Sequence, residues 1–573
     1  MLDSAAVQNY DIPARPGSPA TPAIPSGTVS SARGESAPTN VGWILLILAA
    51  LYVGYFSHLG ALGFVGPDEP RYAWVAREMV ESGDWVTPRL YGKPWFEKPV
   101  LYYWGAAAAF KLFGVSEASA RLPSAISALL ATLALAWLAW RTYGPKTPRF
   151  LFVMLPLTVA MIGFSHAAAP DMPFAAMLTL AMVCAAVILG VTNPRSSNSQ
   201  SPISRVNRAP LVAFGFFLGV ASLAKGPAAI ILAGGATFLW ALGTKRWRDA
   251  FRLTHPMSIA AFCATALPWY VLCARRNPDF LRIFIVEHNF ARFLTPVFQH
   301  VRPFWFFAPV ILLGVLPWTL VVVSIGRDVL RKYRAATLSR SLLWFSGCWA
   351  LVPILFFSLS KSKLPGYILP SFPPLILLFA RNIVGAESDR HRKEKWLVLA
   401  QAGMFVALGI AAKILQSRIA GGVDLLLPPW RIQFIYVAIA GGILMACLGL
   451  WRRRGSTVVM PGAVLMLVLV GIVQGGLGDI DSIYFSRDAT KLASAVYPAI
   501  DPKSAFVYQV PRAQHYSLNF YLHRELPEWT PQQQNAGWIF TSFKQRAVME
   551  SLGLACSQRQ KVVSTSLIVC VRP

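Results

Sequence analysis

Long apolar segments recur along most of this 573-residue chain and restrict it to one broad class of fold. Hydrophobic residues make up 55% of the chain and charged residues only 14%, whereas soluble proteins average about 25% charged residues. Most of the segments are long enough to cross a hydrocarbon core ~30 Å thick. The sequence therefore predicts a polytopic α-helical membrane protein with about thirteen transmembrane helices, at residues 41–63, 118–140, 148–166, 171–192, 209–224, 226–243, 253–273, 303–325, 342–358, 365–384, 396–415, 431–451 and 457–477.

Lysine and arginine are distributed unevenly among the loops between these segments. If the N-terminus is cytoplasmic, the cytoplasmic loops hold the basic clusters, such as Lys245 to Arg252 and Arg452 to Arg454. The short loops on the other side hold few cations, as the positive-inside rule requires. Much of the net charge of +27 is therefore topological. An odd number of helices places the C-terminus outside.

Three regions follow from the composition of the chain. Residues 1–40 are rich in Pro, Ser, Ala and Gly and are predicted to be a disordered cytoplasmic tail, with no cleaved signal peptide. Residues 41–478 form the transmembrane domain, whose first external loop spans 64–117. Residues 479–573 are predicted to form a small external α/β domain, with strands at 504–510, 537–540 and 562–571 and helices at 488–496 and 515–522. Cys556 and Cys570 lie in this domain and could pair in an oxidising compartment; the sequence leaves that open.

The first external loop carries an amphipathic pattern. Tyr72, Val75, Ala76, Met79 and Val80 follow the i, i+3, i+4, i+7, i+8 spacing of one helical face. The charged residues Arg71, Arg77, Glu78 and Glu81 fall off that face. The spacing predicts a juxtamembrane helix that lies in the membrane interface.

Acidic residues stand at the external ends of two apolar segments. Asp68 and Glu69 follow the first segment, and Asp171 precedes a later one in the string APDMPF. Helix capping is the simpler explanation, because Pro70 and Pro173 suit a first helical turn. Carboxylates at the same membrane level could instead converge on one site, and both interpretations stay open.

Basic and aromatic side chains recur at the same external level. They are Lys93, Glu97-Lys98, Lys225, His288, Arg292, Lys361, Lys363 and Tyr367. A surface ion pair explains Glu97-Lys98 and contributes little, and Lys225 could extend to the interface from a helix end. Lys361 and Lys363 oppose the positive-inside rule in a short outer loop, and ammonium groups there suit phosphate binding. Glu97 and His288 could hold a divalent cation, although an uncoordinated, hydrogen-bonded histidine is the simpler expectation.

The order of several short strings resembles one family. GPDEPRYA, YGKPWFEKPVLYYW, ARLPSA, APDMPF, AKGP, EHNFARF and SKLPGYILP look like the lipid A 4-amino-4-deoxy-L-arabinose transferases, which are GT-C glycosyltransferases. The resemblance covers residues 41–380 well and the C-terminal region only in general layout. It implies a multi-pass bacterial inner-membrane enzyme with its site at the periplasmic face, where undecaprenyl-phosphate aminoarabinose is the donor and a lipid A phosphate the acceptor. The product would mask negative charge and confer polymyxin and cationic peptide resistance.

The resemblance and the chemistry together assign expected roles. Asp68 and Asp171 are the expected catalytic residues. The expected substrate-binding residues are Glu69, Arg71, Tyr72, Lys93, Glu97, Lys98, Lys225, Arg292, Lys361, Lys363 and Tyr367. No cofactor is expected to be required, apart from the possible metal at Glu97 and His288. The expected partners are the lipid-linked donor, lipid A and membrane lipids, without nucleic acid, and the chain is expected to be a monomer.

Two other functions remain possible from the sequence. A protein O-glycosyltransferase would share the fold and the acidic pair and differ in its acceptor. A lipid or sugar transporter would show paired repeats and polar groups near the bilayer midplane. The sequence shows no internal repeat, and its polar groups gather on one face, so the enzyme is favoured.

Overall fold

The computed structural model describes residues 40–192, 208–295, 301–319, 342–386, 391–420, 429–451, 459–478, 486–533, 537–557 and 566–572. The predicted tail therefore lies, apart from Asn40, outside the described residues. So do several of the basic loops, including the cluster at Arg452 to Arg454.

Helices dominate the region from residue 40 to residue 478. The α-helices are α1 Asn40–Leu51, α2 Asp68–Ser82, α3 Leu101–Phe113, α4 Glu117–Tyr143, α5 Lys146–Met154, α6 Val159–Ser165, α7 Asp171–Ile188, α8 Arg208–Lys225, α9 Ala228–Thr244, α10 Trp247–Ala250, α11 Pro256–Arg276, α12 Arg292–Leu294, α13 Phe307–Gly314, α14 Leu342–Leu359, α15 Phe372–Ala386, α16 His391–Ala420, α17 Pro429–Trp451 and α18 Val459–Gly475. Shorter π and 3-10 turns extend several of them, at Tyr52–Phe56, Phe251–Thr254, Arg282–Ala291, Phe304–Phe306 and Pro365–Ser371.

The chain is a multi-pass helical membrane protein. Within the described residues, eight helices are long and apolar enough to cross a membrane, and the pair α5 and α6, bent by 60°, would make a ninth. Four shorter apolar helices occupy Val41–Phe56, Ala228–Thr244, Phe304–Gly314 and Val459–Gly475. Each of the thirteen predicted segments thus coincides with an apolar helix, although the number that cross the membrane stays a prediction.

The first external loop folds as predicted on one helical face. Tyr72, Val75, Ala76 and Met79 of α2 are buried, and they pack into an aromatic core with α3 and the π-helical segment 282–291. Arg71, which falls off that face, is buried as well. The reason is that protein covers α2 on this side too.

The covering protein is the C-terminal α/β domain. Its strands are β3 Phe506–Tyr508, β4 Ile539–Ser542, β5 Ala555–Cys556 and β6 Leu567–Val571, and its helices are α19 Ser486–Val496, α20 Arg512–Leu522 and α21 Arg546–Ser551. The strand order in the sheet is β3-β4-β6-β5, in which β3 pairs with β4 in parallel and the other pairs are antiparallel. Outside this domain, in the first external loop, a hairpin joins β1 Arg89–Leu90 to β2 Lys93–Pro94. The sequence missed α21 and β5, and part of the strand predicted at 562–571 lies outside the described residues. Cys556 and Cys570 form a disulfide between β5 and β6.

Polar contacts hold this domain on the first external loop. Asn519 of α20 donates to the Tyr91 hydroxyl at 2.9 Å, and the Tyr521 hydroxyl donates to Glu117 at 2.8 Å. Arg487 of α19 donates to the carbonyls of Gly60 and Ala61, each at 2.8 Å. The domain and the loop therefore lie on the same side of the membrane.

A buried ion pair organises the start of that loop. Glu69 accepts from the backbone N–H groups of Val65 and Ala168, each at 2.6 Å, and from Arg121 at 2.8 Å. Arg121 also donates to the carbonyls of Leu59, Leu62 and Gly63. The pair fastens the end of the first apolar helix to α4 and to the turn before α7. Such a buried pair is costly to break, because either partner alone leaves an uncompensated charge.

We predict that Arg121→Lys lowers the stability of the folded chain. A lysine cannot bind Glu69 and three carbonyls together, and each buried polar group left unpaired costs about 1–3 kcal/mol. The measurement is the thermal unfolding midpoint of the detergent-purified protein. Arg282→Lys is the control, because Arg282 forms only exposed ion pairs with Asp279 and Glu287. Equal midpoints for the two variants would show that the buried pair does not hold the loop.

Candidate active site

A cavity of about 380 Å³ opens where the first external loop meets the outer ends of α7, α8 and α14. Three carboxylates and three cationic groups line it, together with two tyrosines and a histidine. All of these residues are among the candidates that the sequence predicts, although they come from segments far apart in sequence. The predicted residues in the lining are Asp68, Tyr72, Glu97, Lys98, Asp171, Lys225, His288, Arg292 and Tyr367.

Asp68 is the first residue of α2 and presents its carboxylate to the cavity. Its side chain is 50% exposed, and the position that caps α2 is occupied by Pro67, so Asp68 belongs to the first turn and is not the N-cap. The guanidinium of Arg71, one turn later, donates to the Asp68 carboxylate. Arg71 also donates from Nε to the carbonyl of Pro67 at 2.9 Å. Asp68 is thus a fixed anion at the edge of a water-accessible space.

Glu97 lies at the centre of the charged groups. Its carboxylate accepts from Arg71 at 3.3 Å, Arg292 at 3.4 Å and Lys98 at 3.5 Å. Burial alone would raise the pKa of Glu97, but the positive charges around it, chiefly those of Lys98, Arg71 and Arg292, lower it to about 2. The group is therefore an anion at any physiological pH and keeps the cations around it in place.

The Lys98 ammonium group has a pKa only a little above neutral pH. Burial lowers the pKa of its ammonium group to about 8, with further lowering by Arg292 and Lys225, although Glu97 and Asp171 oppose the change. At neutral pH the group is still mostly protonated. Its ammonium group has three N–H donors, and those not directed at Glu97 can donate to an anion in the cavity.

Asp171 and Lys225 form the second charged pair of the site. The Lys225 ammonium donates to Asp171 at 2.7 Å and lies 5.6 Å from the centre of the Tyr367 ring. A Cβ atom on Gly366 would stand 2.2 Å from the Asp171 carboxylate. The glycine of the SKLPGYILP string is therefore needed for Tyr367 and Asp171 to share one wall.

The residue after Lys225 is a glycine for a similar reason. Gly226 has a φ of +68°, a left-handed conformation that non-glycine residues rarely adopt, and a Cβ atom there would lie 2.6 Å from the Phe284 ring. This turn ends α8 and places Lys225 over the cavity. It gives the AKGP string a structural explanation.

Five predicted substrate-binding residues do not line the cavity. Glu69 is engaged with Arg121 in the fold, and Arg71 lies behind Asp68 and Glu97. Lys93 is exposed in β2, and Lys361 is exposed in the loop after α14. Lys363 is buried and donates to the carbonyls of Arg302 and Ser360, because a buried ammonium must find acceptors and this short loop supplies them from its own backbone.

The surroundings of Glu97 and His288 do not favour the divalent cation that these two residues could hold. Burial lowers the pKa of His288, so its imidazole is neutral and could serve as a ligand. The Glu97 carboxylate, however, is already neutralised by Arg71, Arg292 and Lys98, and these charges repel a divalent cation. In the described part of the chain no group of three His, Cys, Asp or Glu side chains could hold a metal.

Apolar side chains form the remaining walls. They are Pro99, Pro227, Ala228, Ile231, Phe284, Phe290, Phe293, Leu294, Phe356, Phe357 and Leu364. The charged floor and these walls suit a molecule with an anionic head and a hydrocarbon chain.

Sequence reasoning missed two residues that support this site. Arg121 is a single arginine near the start of a long apolar helix, and the rarity of such residues is a signal that could have found it. Tyr516 lies in the C-terminal domain, and its ring centre is 5.3 Å from the Arg71 guanidinium carbon. No local pattern links residues so distant in sequence.

Comparisons with known proteins show what the chain is similar to. The profile of the dolichyl-phosphate-mannose-protein mannosyltransferase family matches residues 42–284. That range contains Asp68, Glu97, Lys98, Asp171 and Lys225.

Similar curated proteins are named undecaprenyl phosphate-α-4-amino-4-deoxy-L-arabinose arabinosyl transferase. The protein of Edwardsiella ictaluri is 31% identical over 395 residues, which are 68% of this chain and 66% of that protein. The protein of Erwinia tasmaniensis is 30% identical over 431 residues, or 74% and 73%. The protein of an Enterobacter species is 31% identical over 471 residues, or 80% of each chain.

Among solved structures, the chain is similar to ArnT from Cupriavidus metallidurans bound to undecaprenyl phosphate. The TM-score is 0.72 at 24% identity, and the match covers 93% of this chain and 98% of that one. The apo structure of the same protein gives a TM-score of 0.71. These matches show that the fold is shared across both the helical region and the C-terminal domain. With the sequence identity to the Enterobacter protein over four fifths of both chains, they show that this chain belongs to the undecaprenyl phosphate-α-4-amino-4-deoxy-L-arabinose arabinosyl transferase family.

Proposed function

We propose that the chain transfers 4-amino-4-deoxy-L-arabinose from undecaprenyl phosphate to a phosphate of lipid A. The observation that carries the proposal is the cavity itself, in which Lys98, Lys225 and Arg292 alternate with Asp68, Glu97 and Asp171 beside apolar walls. Cations suit the phosphates of both substrates, carboxylates suit the amine of the sugar, and the apolar walls suit the prenyl chain. The names of the relatives agree with this chemistry.

The three cations of the cavity would hold the donor phosphate. Charge-assisted hydrogen bonds from lysine and arginine to phosphate are stronger than neutral ones. Glu97 and Asp171 keep Arg292, Lys98 and Lys225 oriented before the lipid arrives. This preorganisation stabilises the extra negative charge that the donor phosphate gains as it leaves. Lys361 and Lys363, predicted for this role, do not line the cavity, so the proposal does not include them.

Asp68 would act on the sugar. An acceptor phosphate is already an anionic nucleophile near pH 7 and has little need of a general base. The exposed Asp68 carboxylate is instead suited to bind the sugar amine and to stabilise positive charge that develops at the anomeric carbon. Asp171 would act mainly through Lys225, to which it is paired.

The reaction balances without a further reactant. A lipid A phosphate oxygen forms a bond to the anomeric carbon while the bond from that carbon to the donor phosphate oxygen breaks. The bonding electrons stay on undecaprenyl phosphate, whose charge the cations accept. A single displacement of this kind inverts the anomeric centre. It needs no metal ion, because lysine and arginine supply the positive charge.

The location follows from the same reasoning. We propose thirteen membrane crossings, a cytoplasmic N-terminus and a periplasmic C-terminal domain, and a monomer in the bacterial inner membrane. The Cys556–Cys570 disulfide supports an oxidising compartment for that domain. Because the domain lies on the first external loop, the cavity would be periplasmic too, and its product would reduce the negative charge of the outer surface and confer polymyxin resistance.

A protein hydroxyl is the second candidate acceptor. The match to the protein mannosyltransferase profile favours it. A serine or threonine hydroxyl must lose its proton during attack, and Asp68 is exposed enough to accept it. The two candidate functions therefore differ in the acceptor, which is a lipid A phosphate in one and a protein hydroxyl in the other.

We predict that the chain adds one aminoarabinose to lipid A in a bacterial strain that lacks its own transferase and makes the donor. The measurement is the mass of extracted lipid A, and the Asp68→Asn variant is the control. The expected gain of one aminoarabinose disappears with Asp68→Asn at equal protein level. Unmodified lipid A in the presence of folded wild-type protein would contradict the proposal and direct attention to a protein acceptor.

We predict that donor affinity falls as the pH rises through about 8. The groups facing Lys98 are Glu97, Arg292, Lys225 and Asp171, and its ammonium is protonated below this pKa and neutral above it. Loss of one charge-assisted contact weakens phosphate binding about tenfold. The measurement is the dissociation constant of undecaprenyl phosphate between pH 6.5 and 9.5.

Two variants give this measurement its controls. Lys98→Arg moves the loss of affinity to higher pH, because a guanidinium stays charged. Lys98→Met weakens binding at neutral pH and removes the decline. A wild-type decline that persists unchanged in Lys98→Met would assign it to another group.

A further inference from the structure

We propose that Tyr516 of the C-terminal domain is a positioning residue for the reaction, because its ring holds Arg71 in the orientation that fixes Asp68 and Glu97. The inference rests on the proposed function, in which Asp68 and the cations around Glu97 act on the substrates. It assigns the C-terminal domain a part in the chemistry beyond covering the first external loop.

Arg71 connects the two carboxylates of Asp68 and Glu97. Its guanidinium donates to Asp68 and to Glu97, so one side chain links the carboxylate that faces the sugar to the carboxylate that orients the cations. Arg71 itself does not line the cavity. A shift of Arg71 would therefore move both carboxylates without removing any group that touches substrate.

A hydrogen bond and two aromatic rings hold Arg71 in place. Its Nε donates to the Pro67 carbonyl, and two aromatic rings lie against the guanidinium, with Trp95 and Tyr516 each 5.3 Å from Cζ. A guanidinium over an aromatic face is attracted by the ring electrons, most strongly when water is excluded. Arg71 is almost fully buried, so this condition is met.

The Tyr516 ring is itself held in place by its neighbours. It lies in α20, whose neighbouring residues Asn519 and Phe520 are buried against the first external loop. The Tyr91 ring stacks on Tyr516 with centres 6.5 Å apart, and the Arg512 guanidinium lies 5.4 Å from the same ring. The ring is therefore part of a fixed aromatic wall contributed from both sides of the domain contact.

A simple docking role for Tyr516 is the alternative. Neighbouring residues already serve docking: Phe520 of α20 packs on Phe64, and His523, which follows the helix, contacts Glu81 at 3.0 Å. Those contacts lie on parts of the loop that do not touch Asp68 or Glu97. Tyr516 is the described residue of the C-terminal domain whose ring approaches Arg71, and docking alone does not require that approach.

The test uses the full-length chain, purified in detergent, with Tyr516→Ala and Tyr516→Phe. Phenylalanine keeps the aromatic face and removes only the hydroxyl. We expect Tyr516→Ala to lower kcat roughly 3- to 30-fold, the range that one cation–π contact can account for. The dissociation constant of undecaprenyl phosphate should rise less than this, because Glu97 keeps its bonds to Arg292 and Lys98. Tyr516→Phe should restore most of the rate. His523→Ala is the control for general loosening of the domain and should stay close to wild type.

A second measurement does not depend on transfer. An arginine-specific dicarbonyl reagent, followed by mass spectrometry of peptides, reports how accessible Arg71 is. We expect faster labelling of Arg71 in Tyr516→Ala and wild-type labelling in Tyr516→Phe. Arg121 should stay protected and Arg282 should label in every variant, as their burial and exposure require.

The outcomes separate this inference from the proposed function. Wild-type labelling and wild-type kcat in Tyr516→Ala would overturn the inference, and so would an equal loss in His523→Ala. A Tyr516→Phe variant as impaired as Tyr516→Ala would assign the effect to the hydroxyl and contradict a role of the ring. If the wild-type chain transfers no aminoarabinose, the proposed function fails, and the labelling of Arg71 alone decides the role of Tyr516.

Discussion

The structure depends on two adjacent carboxylates that are used in different ways. Consecutive residues of a helix point about 100° apart, so Asp68 and Glu69 at the start of α2 cannot face the same neighbour. Glu69 turns inward to Arg121 and to two backbone N–H groups, which fixes the end of the first apolar helix against α4 and α7. Asp68 turns to the cavity. The buried pair thus sets the place from which the exposed carboxylate acts.

Charge pairing explains how so many ionised groups share one small site. Lysine and arginine suited to phosphate would repel one another in a half-buried cavity if no anion lay among them. Glu97 lies among Arg71, Arg292 and Lys98, and Asp171 pairs with Lys225. The charges of these side chains nearly cancel and the cations are held in orientation, so an arriving phosphate needs little rearrangement. Tyr516 extends this arrangement into the C-terminal domain.

Much of this organisation could be predicted from the sequence, and the failures have physical causes. The apolar helices and the charged groups at their outer ends are local patterns, so Asp68, Lys98, Asp171 and Lys225, which line one cavity, could be predicted together with the family resemblance. Glu69 could not be told apart from Asp68, because the direction of a side chain depends on partners distant in sequence. Lys363 was predicted at the site but donates to backbone carbonyls instead, because a sequence does not show which carbonyls a buried ammonium meets. The contact between Tyr516 and Arg71 is a product of domain docking, which no local pattern encodes.

The central claim is that one carboxylate of the pair serves the reaction and its neighbour serves the fold. It is tested most directly by comparing Asp68→Asn with Glu69→Gln in the same detergent, with both the thermal unfolding midpoint and the single-turnover rate of transfer measured for each. The account predicts that Asp68→Asn loses transfer and keeps the wild-type midpoint, whereas Glu69→Gln unfolds at a clearly lower temperature. Full transfer by Asp68→Asn, or an unchanged midpoint in Glu69→Gln, would contradict it.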